Sequence, residues 1–323
     1  MNIESLRLIL FEELDKLEEG ETIRLSELGY SEGLLDKLLF DYHELDNKTY
    51  KELAILIEDI ITKIDFTGIS FDHFKCSGFD FSSLTGVSID PQKIYGKNLC
   101  GATCKGVIFS GPFDGVMVNN TNFKGSENAV INPQKIYHKS LVDCIFTGVI
   151  FTSTFDNCCI SGSDFTGATG VEINPSTLFD RRLSHTILNG TVILGDFDGA
   201  DIQGTDFTGS MGAKINPQLI KDRNLSYTNC CDVEFIGSFD NVYIRGTNFT
   251  GSRGAKINPQ TIFEKNLSDT VCTDVEFVGM FDDVKMQHTI FEGSNYLDMD
   301  IMDDDFRARL KRKIRQINYH SED

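Results

Sequence analysis

Histidine, cysteine and carboxylate side chains are where chemistry would be sought in this chain of 323 residues, and their spacing offers little of it. The histidines, His43, His73, His138, His185, His288 and His320, follow no metal-ligand pattern. Among nine cysteines, Cys158-Cys159 and Cys230-Cys231 are adjacent. Neighbours in an extended segment point to opposite faces, so neither pair shares a metal easily. No Gly-rich phosphate loop ends in Lys-Ser/Thr, and no Gly-x-Ser-x-Gly elbow joins a strand to a helix. The reading is therefore of no catalytic residue, no cofactor and no metal: the chain is not expected to be an enzyme.

One outward row is ordered. It runs Tyr95, Asp114, Tyr137, Asp156, Phe179, Asp198, Lys221, Asp240, Phe263, Asp282, an aromatic residue (Lys221 excepted) alternating with an acid. Exposed aromatics in a row anchor protein partners, because covering a large apolar side chain releases much water-exposed area. The plainer alternative is that Asp ties down a short corner, the aromatic covers the wall, and duplication copied both.

An internal repeat positions that row. Pro91, Pro133, Pro175, Pro217 and Pro259 are 42 residues apart, each in Ile-Asn-Pro or Ile-Asp-Pro. Such a fixed period marks a solenoid. Within one unit the apolar residues are Ile173, Leu178, Leu183, Leu188, Ile193, Phe197, Ile202 and Phe207, and Ile215 opens the next. The dominant step is 5, with one step of 4 and one of 8. Neither a helix nor a flat strand gives a step of five. A chain that turns a corner after each short extended segment does, pointing one side chain inward per side. Cys76, Cys104, Cys230 and Cys272 occupy inward positions and read as small buried hydrophobes.

The residue two before an inward apolar is usually small, as Ala102 before Cys104 and Thr121 before Phe123. Asp or Asn often follows it, as in Thr205-Asp206-Phe207 and Thr247-Asn248-Phe249. Over residues 65–293, about 70% of the chain, this resembles the pentapeptide-repeat family, whose pattern is Ala-(Asp/Asn)-Leu-x-x. The resemblance implies an all-β fold, a right-handed quadrilateral β-helix, here of about eleven coils. The departures are a regular three-residue insertion and Thr or Val where the family favours Ala.

Both ends break the step of five. Residues 1–64 carry helical spacing (Leu6, Leu10, Leu14, Leu17; Leu53, Leu56, Ile57, Ile60) and read as a helical capping or interaction domain. Residues 294–323 read as a helical cap with Phe306, Leu310, Ile314 and Ile317 on one face. Homodimerisation through that face is the rival, and the resemblance implies it, since family members often dimerise at that end.

Net charge is −19, which argues against direct nucleic-acid binding. No apolar run of 18 residues and no signal peptide occurs, so the expectation is a cytoplasmic protein with no membrane segment. Some pentapeptide-repeat proteins imitate duplex DNA, bind DNA gyrase or topoisomerase IV and lower fluoroquinolone sensitivity. Duplex DNA carries about one charge per 1.7 Å. The Asp row here supplies about one per 9.6 Å, at two coils of about 4.8 Å each. The leading expectation is therefore a rigid protein–protein interaction scaffold for an unidentified partner, with the topoisomerase-binding DNA mimic as the alternative.

Overall fold

The computed structural model describes residues 12, 16, 22–24 and 63–297. The helical spacing read in 1–64 falls almost wholly outside the described residues, as does the C-terminal face of Phe306, Leu310, Ile314 and Ile317. By Cα proximity the chain divides into two compact units, Met1–Thr152 and Ser153–Asp323.

The corner is the elementary unit in both. The backbone N–H three residues after an inward side chain donates back to that residue's carbonyl. Ala102 donates to Leu99 at 2.9 Å, Thr121 to Val118 at 3.1 Å and Thr205 to Ile202 at 3.1 Å. The third residue of each turn is left-handed: Gly101 at φ 73, Asn120 at φ 59, Gly204 at φ 68. Gly and Asn adopt that region most readily, so the sequence places them there. The closing residue sits inside the corner, fully buried in Ala102, Thr121 and Thr205. That is why it must be small.

Threonine in place of Ala at this site is explained by its hydroxyl. Thr205 donates to the carbonyl of Leu183 at 2.8 Å, Thr247 to Leu225 at 2.7 Å and Thr289 to Leu267 at 2.6 Å. In the first unit Thr121 donates to Leu99 at 2.8 Å, and the Cys144 thiol to Val118 at 2.9 Å. Each of these buried donors thus satisfies a carbonyl of the coil beneath it, whereas the hydroxyls of Ser126, Thr191, Ser210 and Ser252 are buried without a hydrogen-bond partner among the described residues.

All strands are short and parallel. In the first unit Ile23–Arg24 pairs with Ile64–Asp65, Ser88–Ile89 with Ile108–Phe109, and Val130–Ile131 with Ile150–Phe151. In the second, Glu172–Ile173 pairs with Val192–Ile193 and Lys214–Ile215 with Glu234–Phe235. Lys256–Ile257, Glu276–Val278 and Asn295–Leu297 form a set of three. The ladder therefore passes residues 65 and 293 at both ends of the expected coil. A second wall carries single bridges without interruption, from Asp164 through Ile187, Asp206, Asn229, Asn248 and Val271 to Ile290. The first wall breaks into pairs where the three extra residues enter. Met211 still bridges Val192, then Gly212 turns left-handed at φ 85 before Lys214 opens the next pair.

The interior is columns of Phe, Leu, Ile and Val. One aromatic triple recurs with nearly fixed geometry. Phe235 meets Phe239 at 5.0 Å, and Phe277 meets Phe281 at 5.0 Å. Phe109 and Phe113 repeat it at 5.0 Å within the first unit. Edge-to-face contacts of this kind add to the burial of each ring.

Candidate interaction surface

The Asn-Pro-Gln motif builds the corners that carry the aromatic–Asp row. The Asn or Asp side chain caps a short turn: Asn132 accepts from the Gln134 N–H at 3.0 Å and Asn216 from the Gln218 N–H at 3.1 Å. Pro133 and Pro175 start such turns as tight 3₁₀ segments, where a missing N–H costs nothing. The Gln side chain then staples the short corner of the next coil. Gln92 Nε2 donates to the carbonyls of Pro112 and Asp114, both at 2.9 Å. Gln218 does the same to Ser238 at 3.1 Å and Asp240 at 2.6 Å, and Gln260 to Met280 at 3.1 Å and Asp282 at 2.7 Å. The third copy has Ser176 at the Gln position, and Arg181 replaces it, donating to the Asp198 carbonyl at 2.7 Å. Gly195 and Gly237 lie so close to the capping oxygens of Asn174 and Asn216 that a Cβ at either would overlap them.

On these corners the row is placed as follows. In the first unit Tyr95 is 60% exposed and Tyr137 48%, while Asp114 is half-buried and pairs with Lys135 at 3.0 Å. In the second unit Phe179 is 52% exposed, and Asp156, Asp198, Asp240 and Asp282 are exposed. Phe263 differs from expectation. It is half-buried, because Tyr243 stacks on it with ring centroids 3.7 Å apart and planes 28° apart. That contact belongs to a pattern. At three positions of the row the residue twenty before is its neighbour in the wall, and the pair is complementary by different means. Lys75 lies 5.6 Å from the Tyr95 ring, Lys221 lies 3.7 Å from Asp201, and Tyr243 stacks on Phe263.

A basic row escaped the sequence reading. Lys97, Lys139, Arg181, Arg223 and Lys265 each stand two before an inward Leu, where a small residue belongs. An inward base would be a buried, unpaired charge. The backbone turns left-handed instead, at φ 48, 51, 50, 50 and 50, and carries each base outward. Such residues cost on the order of 1–3 kcal/mol each. The signal was present as a base recurring every 42 residues at a site reserved for small side chains.

The bases do not end alike. Lys97 Nζ donates to Gln92 Oε1 at 2.6 Å, and Lys139 Nζ to Gln134 Oε1 at 2.6 Å. Arg223 and Lys265 make no side-chain hydrogen bond or ion pair to the described residues. Beside Arg223 lies an open depression of about 530 Å³ lined by Gln218, Ile220, Asp222, Arg223, Asn241, Tyr243 and Phe263.

Among the described residues no three His, Cys, Asp or Glu side chains gather as a metal site, and no helix is long and apolar enough to cross a membrane. Burial pushes the thiols of Cys104 and Cys144 up to about 12, and those of Cys230 and Cys272 higher still.

No family model matches the chain, and no curated protein does. Solved structures do. HetL, a pentapeptide repeat protein involved in heterocyst differentiation regulation from the cyanobacterium Nostoc sp. strain PCC 7120, is 12% identical over 70% of this chain and 88% of its own, with TM-score 0.20. QnrB1, a plasmid-mediated fluoroquinolone resistance protein, is 16% identical over 71% of this chain and 95% of its own, with TM-score 0.14. The chain is thus similar to a pentapeptide-repeat protein, and its coil is carried by its own corners, columns and parallel rungs.

Proposed function

We propose that this chain is a non-enzymatic, cytoplasmic scaffold for protein–protein interaction, a right-handed quadrilateral β-helix whose aromatic–Asp corners are the contact surface. The observation that carries the reading is the exposure of Tyr95, Tyr137 and Phe179 on corners whose backbone is pinned by turns and staples. Rigid aromatic anchors lose little entropy when a partner covers them. Replacing Tyr95, Tyr137, Phe179 and Phe263 together by Ser leaves the interior untouched. An affinity capture from bacterial lysate should lose its partner with this variant while the thermal transition stays within a few degrees. Retained capture would remove the row from consideration.

A type II topoisomerase is the alternative partner. Exposed Asp198, Asp240 and Asp282, none in an ion pair with a described residue, support it by offering repeated negative charge. Asp114 weakens it, being paired with Lys135. Recovery of DNA gyrase or topoisomerase IV subunits in the same capture, with loss on changing Asp198 and Asp240 to Lys, would make the mimic the better account.

A further inference from the structure

We infer that the depression over the Tyr243–Phe263 stack is a seat for a lysine or arginine side chain from a basic segment of a partner protein; the inference rests on the scaffold reading and names its partner's chemistry. Three observations carry it. The first is an internal precedent. In two other copies the acceptor Oε1 of the stapling Gln holds an ammonium at 2.6 Å, from Lys97 and from Lys139. Gln218 keeps both staple bonds through Nε2, yet no base of its own copy reaches its Oε1; Gln260 shares that state, and of the two it is Gln218 that lines the depression. An acceptor that takes a cation in two other copies accepts no hydrogen bond from the described residues here. The second is the wall. Tyr243 and Phe263 present an aromatic pair 3.7 Å apart, and in the first unit a row aromatic is itself a cation partner, Lys75 Nζ lying 5.6 Å from the Tyr95 ring in the place that Tyr243 takes here. Aromatic faces attract cations through their ring electrons. The third is charge. The chain carries −19, and the exposed Asp222 lines the depression, so a basic segment is drawn toward it. Arg223 is the opposing group. It is exposed and makes no bond that holds it over the seat, so it turns into solvent when a second cation arrives.

The test uses the full chain and a blocked pentapeptide of alternating glycine and lysine. Its control is the same peptide with both lysine amines acetylated. Titration is followed by the ring resonances of Tyr243 and Phe263. The lysine peptide should bind saturably and the acetylated one at least about 10-fold more weakly, the factor a partly desolvated cation–π contact supplies. Tyr243→Ser should weaken the lysine peptide by at least about 10-fold, and Tyr243→Phe, which keeps the ring, by less than about 2-fold. Arg223→Gln should leave affinity unchanged or improve it by about 2-fold through loss of a like charge. Loss of binding in Arg223→Gln would overturn the proposal, because Arg223 would then be required for the contact and not be its opposing charge. Equal binding of the acetylated peptide would overturn it, because the cationic charge would then play no part, and no effect of Tyr243→Ser would overturn it as diffuse attraction to an acidic protein. Tyr243 is not among the row residues replaced in the capture experiment. Failure here with capture still dependent on the row therefore sinks the seat alone.

Discussion

Cys230 and Cys231 are neighbours in the chain and belong to two regions under different rules, the stacked interior and the outer wall. Cys230 is fully buried in an inward column, and Cys231 is half-exposed on the turn beside it. Inside, the copies share one set of devices. Small residues close the buried corners, several Thr hydroxyls reach the carbonyl one coil below, and ring pairs recur at 5.0 Å in three copies. Outside, the backbone is just as regular but the side chains are not. The wall pair is a cation over a ring in Lys75 and Tyr95, an ion pair in Asp201 and Lys221, and a stack in Tyr243 and Phe263. Close packing leaves the interior no freedom, whereas a solvated pair needs only to be complementary. Duplication therefore preserved the geometry everywhere and the chemistry only inside. A wall site that departs from its copies, such as the open one at Arg223, is where a specific role is best sought.

The contrast can be broken most sharply with thiol chemistry. Only the thiolate reacts, and burial raises the Cys230 thiol far above its ordinary range. Cys231 is raised as well, first by partial burial and then by the charge of Asp232, but it stays accessible. At pH 8 iodoacetamide should modify Cys231 at least about 100-fold faster than Cys230 in the native protein, read by peptide mass spectrometry. Equal rates would mean that the wall opens on the timescale of labelling. The next effect is on stability. Phe207→Ala, in a fully buried column, should cost about 3–5 kcal/mol in urea unfolding. Phe179→Ala, on the outward row, should cost less than about 1 kcal/mol. Similar losses would show that the row is part of the core. The smallest effect separates two outward bases. Arg223→Gly relieves a left-handed side chain that makes no bond, and should stabilise by about 1 kcal/mol. Lys97→Gly should gain less, because the bond to Gln92 is lost with it.

The inward columns were legible because burial filters residue type strictly, and a step of five is distinct from the periods of helix and strand. The aromatic–Asp row was legible as a recurrence, and its exposure followed from being one residue past an inward one. Its partners were not. Tyr243 stands twenty residues before Phe263, a separation that has meaning only once the length of one coil is known. The Gln staple was hidden in the same way, since Gln218 acts on carbonyls twenty and twenty-two residues on. The basic row was visible but was passed over. A base at a site for small residues looks like tolerance until the sign of φ shows that the chain has turned to expel it.

By itself the sequence determined the period of the repeat, the residues that face inward, the place of the insertion and the poverty of catalytic groups. Each is a local rule about side-chain size, polarity or spacing, and such rules act residue by residue along the chain. The tertiary structure alone decided which coil each Gln and Thr reaches, which aromatic covers which neighbour, and which of the five bases bond to a Gln acceptor. Those outcomes depend on the stacking of coils, which brings together groups some twenty residues apart, and no local rule reports the distance between them.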